Sequence, residues 1–278
     1  KHFVDNYAEG GRDSNASLTS WRELEEEQLE PFAACIRAGA QSIMIAYNSV
    51  DGVPCSCNGR LMEDILRQRW GFTGFTVSDY NGVDGVWERH LVTEDALHAQ
   101  ALCLNNGLDV DLPNGYDRLN EAVQKGLVSA EKLDEAVLRV LQAKFRLGLF
   151  ERPFVDPDEA DKTVLCPAHI RLAEEAAEKS LVLLKNDDGT LPLDRTRIKR
   201  LGIFGGDEVA TGGYSGRADR ILTPLEALRA HLGDEVELVF DPGDTGLTAM
   251  AEKCDAVVYF AASLEGEGKD RCDIRLPD

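Results

Sequence analysis

A run of strand-forming residues ends in a carboxylate and an aromatic ring at Asp79 and Tyr80. The residues before them, 74–78, include β-branched and aromatic side chains that favour a strand. In barrels and doubly wound α/β proteins, catalytic groups lie at the carboxyl ends of strands. An aspartate there could be a nucleophile, a general base or a metal ligand, and taken alone it could equally cap the next loop.

The same pattern recurs over residues 1–150. Short β runs end in polar groups near Phe3, Asn48, Asp79 and Asp111. Amphipathic stretches that predict helices lie at 21–38, 59–70 and 93–105. Strands that alternate with helices predict a parallel sheet with right-handed crossovers. Four such units make half of a (β/α)8 barrel, so we expect the chain to be part of a longer polypeptide.

Several of these helices carry terminal signals. Ser20 and Thr93 precede acidic first turns and are predicted as N-caps. The clearest helix is predicted over 129–147, and Gly148 suits its C′ position. Its expected apolar stripe comprises Leu133, Val137, Val140, Leu141 and Lys144.

The chain changes character after residue 150. Residues 151–170 form an acidic stretch with three prolines and no periodicity, typical of an interdomain linker. Residues 171–278 predict a second, smaller α/β domain. Its expected elements are a helix over 169–185, β runs over 200–204, 235–240 and 256–260, and a helix over 224–232. The predicted domains are therefore 1–150 and 171–278, joined by the linker.

A second group of carboxylates follows the last β run. Glu265 and Glu267 lie on a glycine-flexible loop that ends in Lys269, Asp270 and Arg271. Alone, this loop is typical of a solvated charged surface. Together with Asp79 it suggests two carboxyl groups flanking a scissile bond, the minimum equipment for glycoside hydrolysis. One must be ionised, and the other must hold a proton at working pH.

Composition excludes several functions. A net charge of -20 repels phosphate backbones, which argues against nucleic acid as a partner. No apolar run approaches the ~20 residues of a membrane-spanning helix, so no membrane partner is expected. The odd count of seven cysteines weakly favours reduced thiols and a cytoplasmic location. No metal-ligand spacing stands out, and neither a metal nor another cofactor is expected.

Glycines between residues 205 and 216 leave a nucleotide-dependent enzyme as a third, weaker hypothesis. Their spacing matches neither dinucleotide nor P-loop fingerprints, and a tight turn explains them as well.

The sequence gives no basis for assigning a targeting signal. The chain starts within a β run at Lys1 and carries no signal-like segment, as expected for part of a longer polypeptide.

An ordered set of motifs resembles glycoside hydrolase family 3, the β-glucosidase family. The motifs, in chain order, are Lys1-His2-Phe3, Met44-Ile45-Ala46-Tyr47-Asn48, Ser78-Asp79-Tyr80, Gly107-Leu108-Asp109-Val110-Asp111-Leu112-Pro113, Ser180-Leu181-Val182-Leu183-Leu184-Lys185-Asn186, Leu191-Pro192-Leu193 and residues 265–271. The resemblance implies an α/β fold in which the C-terminal half of a (β/α)8-like barrel precedes an α/β sandwich domain.

The resemblance also implies roles for individual residues. Asp79 would be the nucleophile and Glu267 the acid/base, with Glu265 as its rival. The substrate-binding residues would be Lys1, His2, Tyr47, Tyr80 and Arg12. Tyr47 could hydrogen-bond Asp79, and Tyr80 offers a ring to the apolar sugar face. Arg12 adds either a sugar donor or a surface salt bridge. Asp111 would support the barrel mouth.

The implied activity is that of a retaining exo-acting β-glucosidase that acts on a β-glucoside or cello-oligosaccharide. A histidine acid/base branch of the family carries K-H-F-P-G-H-G where this chain has Lys1-His2-Phe3-Val4-Asp5-Asn6, which favours a carboxylate acid/base. β-Xylosidase or arabinosidase activity stays open on the same scaffold. So does a non-catalytic sugar-binding fragment, because the N-terminal half-barrel, with its substrate-gripping aspartate, would be a missing partner. Homo-oligomer formation is left undecided.

Overall fold

The structure of the protein is a computed structural model. It describes residues 1–6, 15–209, 211, 214–216, 218, 220–243, 247–261 and 275. The chain divides into two compact bodies, and the boundary lies between Asp161 and Lys162. Each body is described by itself.

The first body combines short strands with helices on their flanks. Its strands are β1 (Ala16–Ser17), β2 (Ser42–Met44), β3 (Ser49–Val50), β4 (Val53–Pro54), β5 (Phe75–Tyr80) and β6 (Val110–Leu112). Its α-helices are α1 (Trp21–Glu23), α2 (Glu30–Arg37), α3 (Asp84–Glu88), α4 (Ala96–Asn105), α5 (Leu119–Gln124), α6 (Ala130–Arg146) and, across the boundary, α7 (Pro157–Thr163). Wider π-helical turns span Leu24–Gln28 and Arg60–Arg69, and a 3₁₀ turn spans Cys55–Cys57.

A parallel sheet with the order β2-β5-β6 forms the centre of this body. Val77 pairs with Met44 on one side and with Val110 on the other. A parallel bridge between Phe3 and Ile45 adds the N-terminal segment beside β2. The four predicted β runs are therefore neighbours in one parallel arrangement, and their carboxyl ends lie at the same edge. A smaller sheet, β1-β3-β4, lies apart from them.

The opposite edge of the central sheet carries a buried ionic network. The Asp109 carboxylate accepts hydrogen bonds from Arg67 and from Arg139, each at 2.7 Å. The backbone N–H of Thr76 donates to the same carboxylate at 2.9 Å. Only 1% of the Asp109 side chain is exposed. The network ties a π-helical segment and α6 to β5, since Arg67 and Arg139 come from those two helices.

The predicted helices agree with the structure in their position more often than in their N-caps and buried faces. The helix predicted over 129–147 is α6, and Gly148 takes the predicted C′ position with a φ of 67°. Ser129 is its N-cap and accepts from the Lys132 N–H. The stripe predicted on α6 holds only in part, because Leu133 packs against the core whereas Val137 and Leu141 are exposed and Ala136 and Ala143 are buried.

Two other helices differ from prediction, one in its middle and one at its start. The predicted helix over 21–38 is broken by the π-helical turns at Leu24–Gln28, although Ser20 caps its start as expected. The N-cap of α4 is Asp95, whose carboxylate accepts from the His98 N–H at 2.9 Å. Thr93 was therefore the wrong N-cap, since the aspartate two residues later supplies the acceptor.

The second body contains a parallel sheet with the order β8-β7-β9. Its elements are α8 (Pro167–Ser180), β7 (Arg200–Gly205), α9 (Pro224–Leu232), β8 (Glu237–Asp241), α10 (Leu247–Ala251) and β9 (Ala256–Phe260), with 3₁₀ turns at Asp187–Gly189 and Gly233–Glu235. The core includes Leu201, Ile203, Leu225 and Val236. A capping box between Thr223 and Glu226 fixes the start of α9.

Three expectations for this half of the chain meet the structure differently. The 151–170 stretch, predicted without periodicity, contains α7. The helix predicted over 169–185 is α8, which begins at Pro167 and ends at Ser180. Gly205 ends β7 with a φ of 94°, and a Cβ there would collide with the Phe260 carbonyl. Close strand approach therefore explains this glycine without a nucleotide. Among the described helices, none is long and apolar enough to cross a bilayer.

Candidate active site

Asp79 is the penultimate residue of β5 and lies at the edge of the sheet where the parallel strands end. Along this strand Thr76 and Ser78 are buried, Asp79 is half-buried and Tyr80 is exposed. The Asp79 side chain keeps 17% of its surface accessible. A carboxylate at this position is fixed by a rigid strand and still open to a reagent from solvent.

Two contacts orient the Asp79 carboxylate, one on each oxygen. His2 Nε2 lies 3.3 Å from Oδ2. The backbone N–H of Tyr80 donates to Oδ1 at 2.7 Å. The Phe3–Ile45 bridge explains the first contact, because it places the N-terminal segment in the same parallel arrangement as β5. The structure thus brings together His2 and Asp79, which the sequence had assigned to one site.

Tyr47 reaches the same segment through its hydroxyl group. We expected this hydroxyl to bond the Asp79 carboxylate. In the structure it donates to the Tyr80 carbonyl oxygen at 2.6 Å. The contact therefore holds the backbone that follows Asp79. The Tyr80 ring itself is 60% exposed, so it is accessible to a ligand.

Asp111, in β6, contacts residues at the same edge of the sheet. It is buried, and its carboxylate accepts from the Tyr116 N–H at 3.3 Å and lies 3.5 Å from the Ser78 hydroxyl. Burial raises the pKa of Asp111, and the Tyr116 hydrogen bond partly opposes that shift. The supporting role expected for Asp111 from the sequence stays a prediction.

The remaining predicted site residues fall into two groups. Lys1 is exposed and lines a cleft of about 320 Å³ with Phe32, Ser42 and Ile43, near the start of β2. His2 contacts Asp79 directly, whereas the role expected for Lys1 stays a prediction. The other residues lie outside the described part of the chain; they are Arg12, Glu265 and Glu267.

Other reactive groups of the first body have local explanations. Burial raises the pKa of both Cys55 and Cys57 to about 12, so these thiols stay protonated at neutral pH. His98 lies beside Glu94 and Asp95, and their ligand atoms lie within 4.8 Å of one another. This group, which the sequence search missed, could hold a metal ion. The Asp95 cap of α4 accounts for part of its geometry.

Sequence reasoning also missed two residues that contact Tyr47. His90 Nε2 lies 2.8 Å from the Tyr47 carbonyl oxygen, and the Arg89 guanidinium lies over the Tyr47 ring at 5.7 Å from its centroid. Neither belongs to a motif that the sequence search recognised. The only local signal for these two residues in the sequence was their place at the end of a short helix that follows the strand carrying Asp79.

Known proteins share this architecture. A family model for the glycosyl hydrolase family 3 N terminal domain matches residues 1–143, and one for the family's C-terminal domain matches residues 181–278. A beta-xylosidase from Formosa agariphila is 34% identical over 99% of this chain and 43% of its own length.

Solved structures give the same result. A β-glucosidase from Erythrobacter marinus matches with a TM-score of 0.88 and 29% identity, over 98% of this chain and 42% of that one. A mutant β-glucosidase from Listeria innocua in complex with laminaribiose matches with a TM-score of 0.83 and 30% identity, over 93% and 38%. The chain spans less than half the length of these proteins. The likeness confirms the expected fold class, half of a (β/α)8-like barrel followed by an α/β sandwich.

Proposed function

This chain belongs to glycosyl hydrolase family 3, and on that premise we propose that it carries the nucleophile of a retaining, exo-acting β-glycosidase. The proposed substrate is a terminal, non-reducing β-D-glucosyl residue of a β-glucoside. Asp79 is the proposed nucleophile. The observation that carries this assignment is an accessible carboxylate on a strand end, oriented at both oxygens by His2 and by the Tyr80 N–H.

The proposed reaction has two displacements at the anomeric carbon. Asp79 forms a bond to that carbon while the bond to the leaving oxygen breaks and Glu267 protonates the leaving oxygen. Water then attacks the same carbon, Glu267 takes its proton, and the Asp79 carboxylate is released. Two inversions restore the original configuration, which is why the product keeps its β anomeric form.

The nearby side chains suit these steps. A carboxylate that accepts one strong hydrogen bond from a backbone N–H keeps its orientation while its other oxygen contacts His2. His2 and the exposed Tyr80 ring are proposed to contact the sugar, together with Lys1, Arg12 and Tyr47. Glu267 is proposed as the acid/base because of the motif that ends in Arg271, and Glu265 is its rival.

Xylosyl substrates form the second candidate. The Formosa agariphila relative is named a beta-xylosidase, and the solved relatives from Erythrobacter marinus and Listeria innocua are named β-glucosidases. The two sugars differ by a hydroxymethyl group. The ratio of kcat/KM for p-nitrophenyl β-D-glucoside and β-D-xyloside, measured on the intact protein, decides between them.

Azide trapping tests the two carboxylates separately. In Asp79→Ala, azide replaces the nucleophile and attacks once, so the expected product is the α-glycosyl azide. In Glu267→Ala, Asp79 still forms the covalent intermediate and azide attacks second, so the β-glycosyl azide is expected. A 2,4-dinitrophenyl glycoside, whose leaving group needs no proton, should react with Glu267→Ala and not with Asp79→Ala.

Glu265→Ala is the matched control for the acid/base assignment. It should retain full activity and form no glycosyl azide. If Glu265→Ala forms the β-azide and Glu267→Ala does not, the acid/base role moves to Glu265. If Asp79→Ala retains hydrolysis without azide, the nucleophile assignment is wrong.

A further inference from the structure

His90 lies at the end of the helix that follows the proposed nucleophile. The α3 helix begins five residues after Asp79, and its Gly85 carbonyl accepts the N–H groups of both Arg89 and His90. Leu91 then adopts a left-handed backbone with a φ of 54°, which ends this turn. The backbone of His90 is therefore fixed relative to the strand that carries Asp79.

The half-buried His90 ring contacts the backbone of Tyr47. Its Nε2 atom lies 2.8 Å from the Tyr47 carbonyl oxygen. A carbonyl oxygen can only accept, so His90 must carry its proton on Nε2. The Arg89 guanidinium covers the ring of the same tyrosine at 5.7 Å. Two consecutive residues after α3 thus hold Tyr47 at its backbone and at its ring.

Tyr47 in turn is hydrogen-bonded to the backbone next to Asp79, the proposed nucleophile. Its hydroxyl donates to the Tyr80 carbonyl at 2.6 Å, and the Tyr80 N–H donates to Asp79 Oδ1 at 2.7 Å. The contacts form a closed circuit, from Asp79 through α3 and His90 to Tyr47 and back through Tyr80. A carboxylate on an exposed strand end needs such support, because a misplacement of 1 Å can cost on the order of 100-fold in rate.

We propose that His90 is a positioning residue for Asp79, acting through its hydrogen bond to Tyr47. This inference rests on the proposed nucleophilic role of Asp79. The printed contacts of the Asp79 carboxylate come from His2 and the Tyr80 N–H, and the function of His90 is to keep the Tyr80 peptide, and with it that carboxylate, aligned for attack. A donor at the Nε2 position is the chemical requirement.

The test compares His90→Leu with His90→Gln in the intact protein. Leucine removes the donor, and the glutamine amide can still donate to the Tyr47 carbonyl. We expect His90→Leu to slow covalent inactivation by a 2-deoxy-2-fluoro-β-glycosyl fluoride by about 10- to 100-fold. The KM for the p-nitrophenyl substrate should change less than kcat. His90→Gln should recover most of the loss, and His169→Leu, an exposed histidine of α8 outside the circuit, should match the wild type.

Hydrogen exchange of the peptide containing residues 75–82 gives a readout that needs no turnover. Exchange at the Tyr80 N–H should be faster in His90→Leu and restored in His90→Gln, with an unchanged thermal midpoint. Wild-type rates of both labelling and exchange in His90→Leu would overturn the proposal. If the wild type itself is not labelled, the nucleophile assignment fails, while altered exchange would still support the His90 contact.

Discussion

Two aspartates of the same parallel sheet, Asp109 and Asp79, have opposite surroundings. Asp109 precedes β6 at one edge, with 1% of its side chain exposed and bonds to Arg67, Arg139 and Thr76. Asp79 lies near the other edge, about 10 Å farther along the strand direction than Asp109. It is 17% exposed, and its oxygens face His2 and the Tyr80 N–H.

The difference separates a structural carboxylate from one available for chemistry. Asp109 is surrounded by donors from two helices and a strand, so its charge is neutralised and a ligand cannot approach. Asp79 is oriented by few contacts and keeps an accessible surface. A nucleophile needs that combination, because its oxygen must be both aligned and reachable. The same residue type therefore predicts opposite effects of mutation at the two edges.

The largest expected effect is the loss of activity in Asp79→Asn. The amide keeps the shape of the side chain but cannot form the glycosyl ester, so kcat should fall by on the order of 10,000-fold or more. Thermal unfolding should move by only about 2 °C, since the site is partly exposed. Measured rates together with a thermal midpoint check both halves of this expectation.

Asp109→Asn should have the converse effect. It leaves the Arg67 and Arg139 guanidinium groups facing each other without their shared anion. Burial and the charge of Arg139 already lower the pKa of Arg67, and Asp109 counteracts this. Removing one member of a buried ionic network costs about 3 to 5 kcal/mol. Urea unfolding measures the loss, with exposed Asp134→Asn on α6 as the control.

A stable Asp109→Asn with no activity would contradict the comparison between the two edges. It would mean that the buried network contributes to chemistry more than to folding. A destabilised variant with near-normal kcat at low temperature would support the comparison.

Asp111 should give a smaller, pH-dependent effect. Burial raises its pKa above the ordinary 3.8 in the folded chain, so the native state holds a proton that the unfolded state releases. Its contribution to stability is present below pH 3.8 and is lost as the pH rises through the native pKa. The unfolding free energy of the wild type minus that of Asp111→Asn should fall across this window, by at most about 1.4 kcal/mol per pH unit. A flat difference between acid and neutral pH would disprove it.

The smallest expected effect is at the start of α6, the helix that carries Arg139. Ser129→Ala removes the acceptor for the Lys132 N–H and should cost about 1 kcal/mol. Ser129→Asp keeps a capping oxygen and should be close to the wild type. Urea unfolding of the three proteins measures this, and equal stability of Ser129→Ala and wild type would show that the cap contributes nothing.

Local features were predictable because they depend on residues close in the chain. The β5 strand, the Ser20 cap, the Gly148 C′ position and α9 were all indicated by neighbours within a few residues. Failures occurred where packing decided. On α6, the burial of Ala136 and Ala143 rather than of Val137 and Leu141 depends on what the helix packs against, which periodicity does not contain.

The candidate site divides in the same way. Asp79, His2, Tyr47 and Tyr80 were predictable as members because their motifs are short and ordered. His90 was not, because its contact is to a backbone carbonyl, and any residue type at position 47 would provide one.

By itself, the sequence determined the order of strands and helices, the family to which the chain belongs and the residue types available for chemistry. Those follow from local preferences and short motifs. The tertiary structure alone decided which carboxylate is saturated and which is accessible. Asp109 and Asp79 are the same residue type in or next to strands of one sheet, but the number of donors around each depends on which distant helices and segments pack against that edge of the sheet.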